Sequence, residues 1–469
     1  MKSTVSAFLA LLALCFSGPV FAEKPNIIFI LADDLGYGDL GCFGQETLKT
    51  PHLDRMAAEG MKLTRHYSGS TVCAPSRCVL MTGYHTGHCS VRGNQPALMK
   101  DEDFTVAELL KQAGYRTGLF GKWGIGNPPP RDDPNKQGFD EFYGYVNMYH
   151  AHNFYPPFLI RNGEVEELRN VTKPFWLKGD RVLGEAKEGS GVASVKKDYA
   201  PDLITAEALK FIDANKDGPF FLYHALNTPH ANNEGGSDKE QQDGMEVPDY
   251  GEFAKRDWPN PEKGFAAMIR NIDRDAGLIF EKLKEHGIDE KTIVFFSSDN
   301  GPHQEGKHQM EYFDSNGPLR GMKRDLYDGG VRVPTIVRWP GKISPGSASD
   351  RLSGFQDFFP TAAELAGIKF EAAGRPIDGI SLVPTLLQIT ERPVETHKFL
   401  YWEFLERGGK VGITTEKWKA IQQNAMKNPP GKIELYDLEN DPGEQNDVAA
   451  DHPELVAKFK KWMEESHAE

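Results

Sequence analysis

Two pairs of acidic and amide residues stand at the ends of apolar runs. Asp33 and Asp34 close "KPNIIFILADD", and Asp299 and Asn300 close "KTIVFFSSDN". Asp33 and Asp34 alone read equally well as turn-formers or a helix cap, because short polar side chains bond to nearby backbone N–H groups. Brought to one place, the four offer three carboxylates and one amide. Such all-oxygen ligands select a hard divalent cation, Ca²⁺ or Mg²⁺, over zinc. A candidate nucleophile lies in "TVCAPSRCVLMTG", residues 71 to 83. Pro75 and the helix-compatible residues after it put Cys73 just before a helix N-terminus. The positive end of the helix dipole there favours the thiolate. The competing reading is a buried structural cysteine.

The chain has 469 residues, five cysteines and a formal net charge of −14. It opens with one early lysine, an apolar core and small residues before Ala22, the pattern of a cleavable signal peptide over residues 1–22. The apolar run is too short to span a membrane. A secreted or periplasmic protein without stable membrane insertion is therefore expected. A lipid anchor on Cys15 is the rival, and the bulky Leu14 before it argues against cleavage there. An exported protein could oxidise Cys42, Cys73, Cys78 and Cys89, and a disulfide among Cys42, Cys78 and Cys89 stays open. Zinc fits poorly, since the Cys73/Cys78 spacing has no second pair downstream. The acidic surface argues against nucleic-acid binding. An anionic substrate would need a local basic pocket to overcome that field.

The elements that must position these residues follow from the patterning. The two apolar runs read as buried parallel strands, whose carboxyl ends are where doubly wound sheets place ligands. "RTGLFGKW", "PFFLYHAL" and "VPTIVRWPG" read as further strands, and "DLITAEALKFIDAN" and "AAMIRNIDRDAGLIFEKLKEHG" as helices. Strand and helix alternate to about residue 368, so residues 23–368 are expected to form a layered α/β domain with a mostly parallel sheet. Beyond "FQDFFPTAAELAGI", short strands and a closing helix indicate a smaller α+β subdomain, 369–469, with an antiparallel sheet. Residues 160 to 200 and 232 to 262 read as surface insertions. The aromatic-rich "GYVNMYHAHNFYPPF" suits stacking on sugar faces or simple packing.

The string C-x-P-S-R followed by "VLMTG" resembles the signature of type I, formylglycine-dependent sulfatases of the arylsulfatase-like kind. The resemblance extends over nearly the whole chain after the leader: "DDLGYGD", "GKW" at 121–123, "TPH" at 228–230, "DNGPH", "PLRGMKRDLYDGGVRVP" and "ELYDLENDPGEQND". It implies an alkaline-phosphatase-like α/β fold. It also implies that a formylglycine-generating enzyme oxidises Cys73 to formylglycine (3-oxoalanine), hydrated to a geminal diol. By the same resemblance Asp33, Asp34, Asp299 and Asn300, with residue 73, hold the metal, usually calcium. Arg77 steadies the diol, Lys122 and Lys323 contact sulfate oxygens, and His230 binds sulfate or protonates the leaving alcohol. A diol carries a spare hydroxyl, so sulfate can be expelled without a second attack on sulfur. The implied substrate is a sulfated carbohydrate or an aryl sulfate.

One position departs from the pattern. Many relatives read "GKWHLG", whose histidine takes the second diol proton, whereas this chain reads "GKWGIG", with Gly124 in that place. The base is then unassigned, with His85, His88, His224 and His303 as candidates. Two rivals remain: a phosphomonoester or phosphonate hydrolase of the same superfamily, and a catalytically inactive glycan-binding relative.

Overall fold

The segment Asn26–Ala32 is apolar after its first residue and buried throughout. Successive strand side chains point to opposite faces, so such a run can be satisfied only with both faces covered. In the computed structural model, which describes residues 23–94, 98–126, 133–173, 189–370 and 376–468, this strand is central in a ten-stranded sheet. The leader expected at 1–22 lies outside the described residues. Ile27, Phe29 and Leu31 join one core with Val79, Val106 and Phe358, from the helices Cys73–Thr82, Val106–Gln112 and Phe358–Leu365. Ile28 and Ile30 join the other with Ile204 and Ile269, from Ala200–Asn215 and Asn260–Glu285.

Five middle strands run parallel in the spatial order Thr292–Ser298, Asn26–Ala32, Phe220–Ala225, Arg116–Lys122 and Glu141–Tyr145. The flanks bring in antiparallel pairing. Thr335–Arg338 and Met61–Leu63 extend one side, and Phe158–Arg161 and Glu164–Glu167 the other. The last two strands correct the expectation of a surface insertion from residue 160. Asn162 and Gly163 both have positive φ, 49° and 85°, the conformation of a two-residue hairpin turn. The charge of the segment hides this Asn-Gly turn signal.

The C-terminal part forms the expected antiparallel meander, Leu400–Phe404, Lys410–Thr414, Trp418–Gln423 and Ile433–Asp437. The helix Pro453–Ser466 packs on it through Phe459 and Met463. A buried ionic knot ties this sheet to the preceding domain. Lys419 Nζ lies 2.6 Å from Asp328 Oδ1 and 3.3 Å from Glu444 Oε1, while Tyr67 donates to Asp328 Oδ2 at 3.1 Å. Removing one partner of a buried pair leaves an uncompensated charge, at about 3–5 kcal/mol. Asp328→Ala is therefore expected to lower unfolding stability by that order in denaturant titration. A double-mutant cycle with Lys419→Met should show that the two losses are not additive, and a loss for the single variant under about 1 kcal/mol would show that Glu444 alone holds Lys419.

Candidate active site

The carboxyl ends of four adjacent parallel strands meet at one edge. Asp33 and Asp34 follow Asn26–Ala32 directly, and Asp299 and Asn300 follow Thr292–Ser298. Lys122 ends Arg116–Lys122, and His230 lies in the loop after Phe220–Ala225. Cys73 and Arg77 come from one face of the helix Cys73–Thr82, one turn apart. Lys323 enters on a loop tied back to this edge, its N–H donating to the Pro302 carbonyl at 2.9 Å. All nine sequence-singled residues are buried and converge here.

Their contacts form a lattice of opposite charges. Lys122 Nζ donates to Asp33 Oδ2 at 2.6 Å, and Lys323 Nζ to Asp34 Oδ2 at 2.8 Å. Arg77 donates through Nε and Nη2 to Asp299 Oδ2 at 3.0 and 2.8 Å, and through Nη1 to the Lys122 carbonyl at 2.5 Å. Asn300 Nδ2 donates to Asp34 Oδ1 at 2.7 Å. The backbone at Asp34 is left-handed, φ 67°, and its N–H donates to Asp299 Oδ1 at 3.1 Å.

Two oxygens stay outside this lattice. Asp33 Oδ1 and Asn300 Oδ1 are buried with no hydrogen-bond partner, a costly state for acceptors removed from water. Burial would raise the Asp33 carboxyl, but Lys122, His230, Arg77 and Lys323 outweigh it and hold it below the usual range. Burial, with the charges of Asp33 and Asp34, pushes Asp299 up to about 7 despite Arg77. Clustered carboxylates, two orphaned oxygens and a carboxyl held toward its neutral form fit a hard cation ligated by oxygen. Asp33, Asp34, Asp299 and Asn300 are the residues able to hold it.

Cys73 is the first residue of its helix rather than the residue before it. The expected easy ionisation is reversed. Burial pushes the thiol above its ordinary value; Lys122 opposes this, and Asp33 and Asp299 reinforce it. The dipole argument considers only the local helix, and the carboxylates arrive from strands far away in sequence. Val72, at the N-cap, supplies no side-chain acceptor. Asn94 does so instead, accepting from Ala74 N at 3.3 Å with Cys73 Sγ 3.8 Å away. Cys42, Cys73, Cys78 and Cys89 are all free thiols, so the disulfide left open among them is not formed.

The four histidines considered for the base are engaged elsewhere. His88 Nδ1 lies 2.9 Å from both Asp378 oxygens, and His85 stacks on its ring at 4.0 Å. His224 bonds to the Phe120 carbonyl and Thr205, and burial lowers it to about 4. His303 uses both nitrogens, Nε2 on the Pro229 carbonyl and Nδ1 on Glu305 N–H. Gly124 has φ +79°, a region favouring glycine, and an added Cβ would lie 3.3 Å from Arg77 Cδ and 3.4 Å from Lys122 Cε. In "GYVNMYHAHNFYPPF" the aromatics Tyr145, Phe154, Tyr155 and Phe158 are buried, which favours packing over sugar stacking.

Sequence reasoning missed four residues around the cluster. Asn94 caps the helix of Cys73. Glu305 holds Lys323 Nζ at 3.0 Å and Arg324 Nη2 at 2.6 Å. His152 lies parallel to His230 with ring centroids 4.9 Å apart, and Glu234 approaches His152 Nδ1 at 3.3 Å.

Residues 25–368 match the family model described as Sulfatase, and residues 321–469 the model described as N-sulphoglucosamine sulphohydrolase, C-terminal. The chain is 34% identical to N-acetylgalactosamine-6-sulfatase of Mus musculus over 425 residues, covering 85% of this chain and 72% of that protein. It is 29% identical to N-acetylgalactosamine-6-O-sulfatase of Bacteroides thetaiotaomicron, covering 94% and 93%. A solved structure concerned with metabolism of multiple glycosaminoglycans by Bacteroides thetaiotaomicron, designated 6S-sulf, superposes with a TM-score of 0.75 at 26% identity, covering 95% of this chain and 99% of that one.

Proposed function

The chain belongs to the sulfatase family and is a sulfuric ester hydrolase, and we propose that it removes 6-O-sulfate from amino sugars of sulfated glycans. The names of the relatives support this substrate. The observation that carries the catalytic reading is the pair of orphaned buried oxygens, Asp33 Oδ1 and Asn300 Oδ1, beside Cys73 and three buried cations.

In this reading Asp33, Asp34, Asp299 and Asn300, with residue 73, hold Ca²⁺. The bound ion would supply positive charge that polarises a sulfate oxygen and lowers the pKa of a hydroxyl at position 73. Formylglycine, made from Cys73 by a formylglycine-generating enzyme, would supply two hydroxyls on one carbon, so turnover needs one attack on sulfur. Arg77, fixed by Asp299 and the Lys122 carbonyl, orients residue 73. Lys122 and Lys323, now on Asp33 and Asp34, would offer their N–H donors to sulfate oxygens. His230 donates from Nδ1 to the Ala231 carbonyl at 2.7 Å, leaving Nε2 to accept from Lys323 at 3.0 Å. Burial and Lys323 lower it to about 3, which suits a neutral group lining the sulfate.

The oxygen donor set disfavours the phosphatase alternative, whose zinc-dependent members use histidine-rich sites. An inactive relative would have no use for two unsatisfied buried acceptors, since each costs about 1–3 kcal/mol. No helix among the described residues is long and apolar enough to cross a membrane. Export rests on the leader pattern of the sequence. The test is a panel of sulfated mono- and oligosaccharides with matched phosphate esters, read by released anion. Sulfate from 6-O-sulfated amino sugars and negligible phosphate are expected. Phosphate release without sulfate would overturn the reading.

A further inference from the structure

We propose that Arg351 anchors a second oxyanion-binding site, away from the catalytic edge, that takes the carboxylate or sulfate of an acidic sugar. Arg351 follows Ser347–Ser349, the outermost strand on one side of the ten-stranded sheet. Two strands, Met61–Leu63 and Thr335–Arg338, separate Ser347–Ser349 from Thr292–Ser298, which leads into Asp299 and Asn300. Occupancy here requires neither the metal nor residue 73, so it stands apart from the sulfatase reading.

Arg351 keeps only 9% exposure, yet it enters no ion pair among the described residues. Its Nη1 donates to the Ser381 carbonyl at 3.1 Å and to Thr385 Oγ1 at 2.8 Å. Nε and Nη2 are buried with no hydrogen-bond partner. Together they form the edge of the guanidinium that grips two oxygens of a carboxylate or sulfate side by side. Arg77 spends the same edge on Asp299 in the catalytic cluster. The acids near Arg351 do not fill it. Asp357 is engaged by His397 Nε2 at 2.7 Å and by the N–H groups of Ile380 and Gly354 at 2.7 and 3.0 Å, and Glu395 is exposed. Burial pulls the Arg351 guanidinium below its ordinary value against the charges of Asp357 and Glu395. At Arg338 burial acts the same way, but Asp289 and Glu59, at 2.7 and 2.6 Å, more than offset it. A buried charge without a partner is costly, and a bound anion removes that cost.

Arg351 and its partner Thr385 also form part of the wall of a cavity of about 420 Å³, large enough for a monosaccharide. Met61, Pro384 and Val394 give this wall apolar surface, and Gln388 and Thr396 give it polar groups. That mixture suits a sugar, whose ring has C–H faces and hydroxyl edges. The one acidic residue among the described wall residues, Glu416, is exposed, so water and salt screen its charge.

The experiment titrates wild type, Arg351→Lys and Arg351→Met calorimetrically with glucuronate, with inorganic sulfate and with glucose as the neutral control, after thermal unfolding has shown that each is folded. Any sulfate held at the catalytic edge persists in all three proteins, so the site is read as the difference between them. Wild type should bind glucuronate, sulfate or both at a site that Arg351→Met lacks, and glucose should not bind there. Arg351→Lys should bind at least about tenfold more weakly, because lysine keeps the charge but loses a charge-assisted hydrogen bond of the two-pronged edge. A response to glucuronate alone assigns the site to carboxylates, and a response to sulfate alone assigns it to sulfates. If Arg351→Met does not fold, Arg351→Lys decides by the same ratio. Equal anion binding by wild type and Arg351→Lys, or no binding of either anion that distinguishes wild type from the variants, would overturn the site.

Discussion

Cys73→Ala is expected to fold, to keep the cation site and to release no sulfate. The thiol is buried and donates only a long hydrogen bond, 3.8 Å from Sγ to Asn94 Oδ1, so a methyl in its place costs about 1 kcal/mol. Asn94 still accepts from Ala74 N and caps the helix. Chemically, the loss is that of the nucleophile, a fall of about 10⁴-fold or more in turnover. Cys73→Ser separates two ideas. Serine offers one hydroxyl, so it can attack sulfur but cannot finish by expelling sulfate from the same carbon. At most one equivalent of alcohol per enzyme is expected, with no sustained turnover. Product counted against enzyme concentration checks this, and continued turnover by either variant would contradict the role given to residue 73.

Asp33→Asn is expected to abolish both cation binding and activity. The change is nearly isosteric and keeps an oxygen toward Lys122, now 2.6 Å away, but removes one negative charge from the donor set. Wild-type protein with free Ca²⁺ at a hundred times its dissociation constant should gain about 2.7 kcal/mol of unfolding stability. The variant should gain almost none, as thermal unfolding with and without Ca²⁺ would show. A strong chelator should suppress wild-type turnover, and Ca²⁺ should restore it. Full activity in chelator, or stoichiometric zinc in active protein, would contradict the oxygen-ligand assignment.

Much of this site is legible in the sequence because strand geometry does the positioning. "NIIFILADD" and "TIVFFSSDN" each specify a buried strand, and adjacent parallel strands bring their ends to one edge, so Asp33, Asp34, Asp299 and Asn300 meet wherever the intervening helices pass. Lys122 and His230 follow from the next strands by the same rule. What sequence reasoning misses depends on loops. His152 and Glu234 are 82 residues apart and meet only because the fold brings the 3₁₀ turn His150–His152 beside the Asn233–Ser237 helix. Asn94 caps a helix from outside it, a role with no local spacing. The thiol of Cys73 is misjudged because its helix is visible in sequence and the carboxylates behind it are not. The strand pair around Asn162–Gly163 is hidden by the charge of its neighbours, although its turn residues carry the signal.

The chemical state of residue 73 in active protein tests the central claim most directly. Protein from a host that makes formylglycine should be digested, and the peptide spanning residues 71 to 77 weighed by mass spectrometry beside a turnover assay on the same sample. Formylglycine at 73 is expected, in proportion to activity across preparations, with Cys78 remaining a thiol because it lacks the proline and arginine that follow Cys73. Fully active enzyme carrying an intact thiol at 73 would contradict the account.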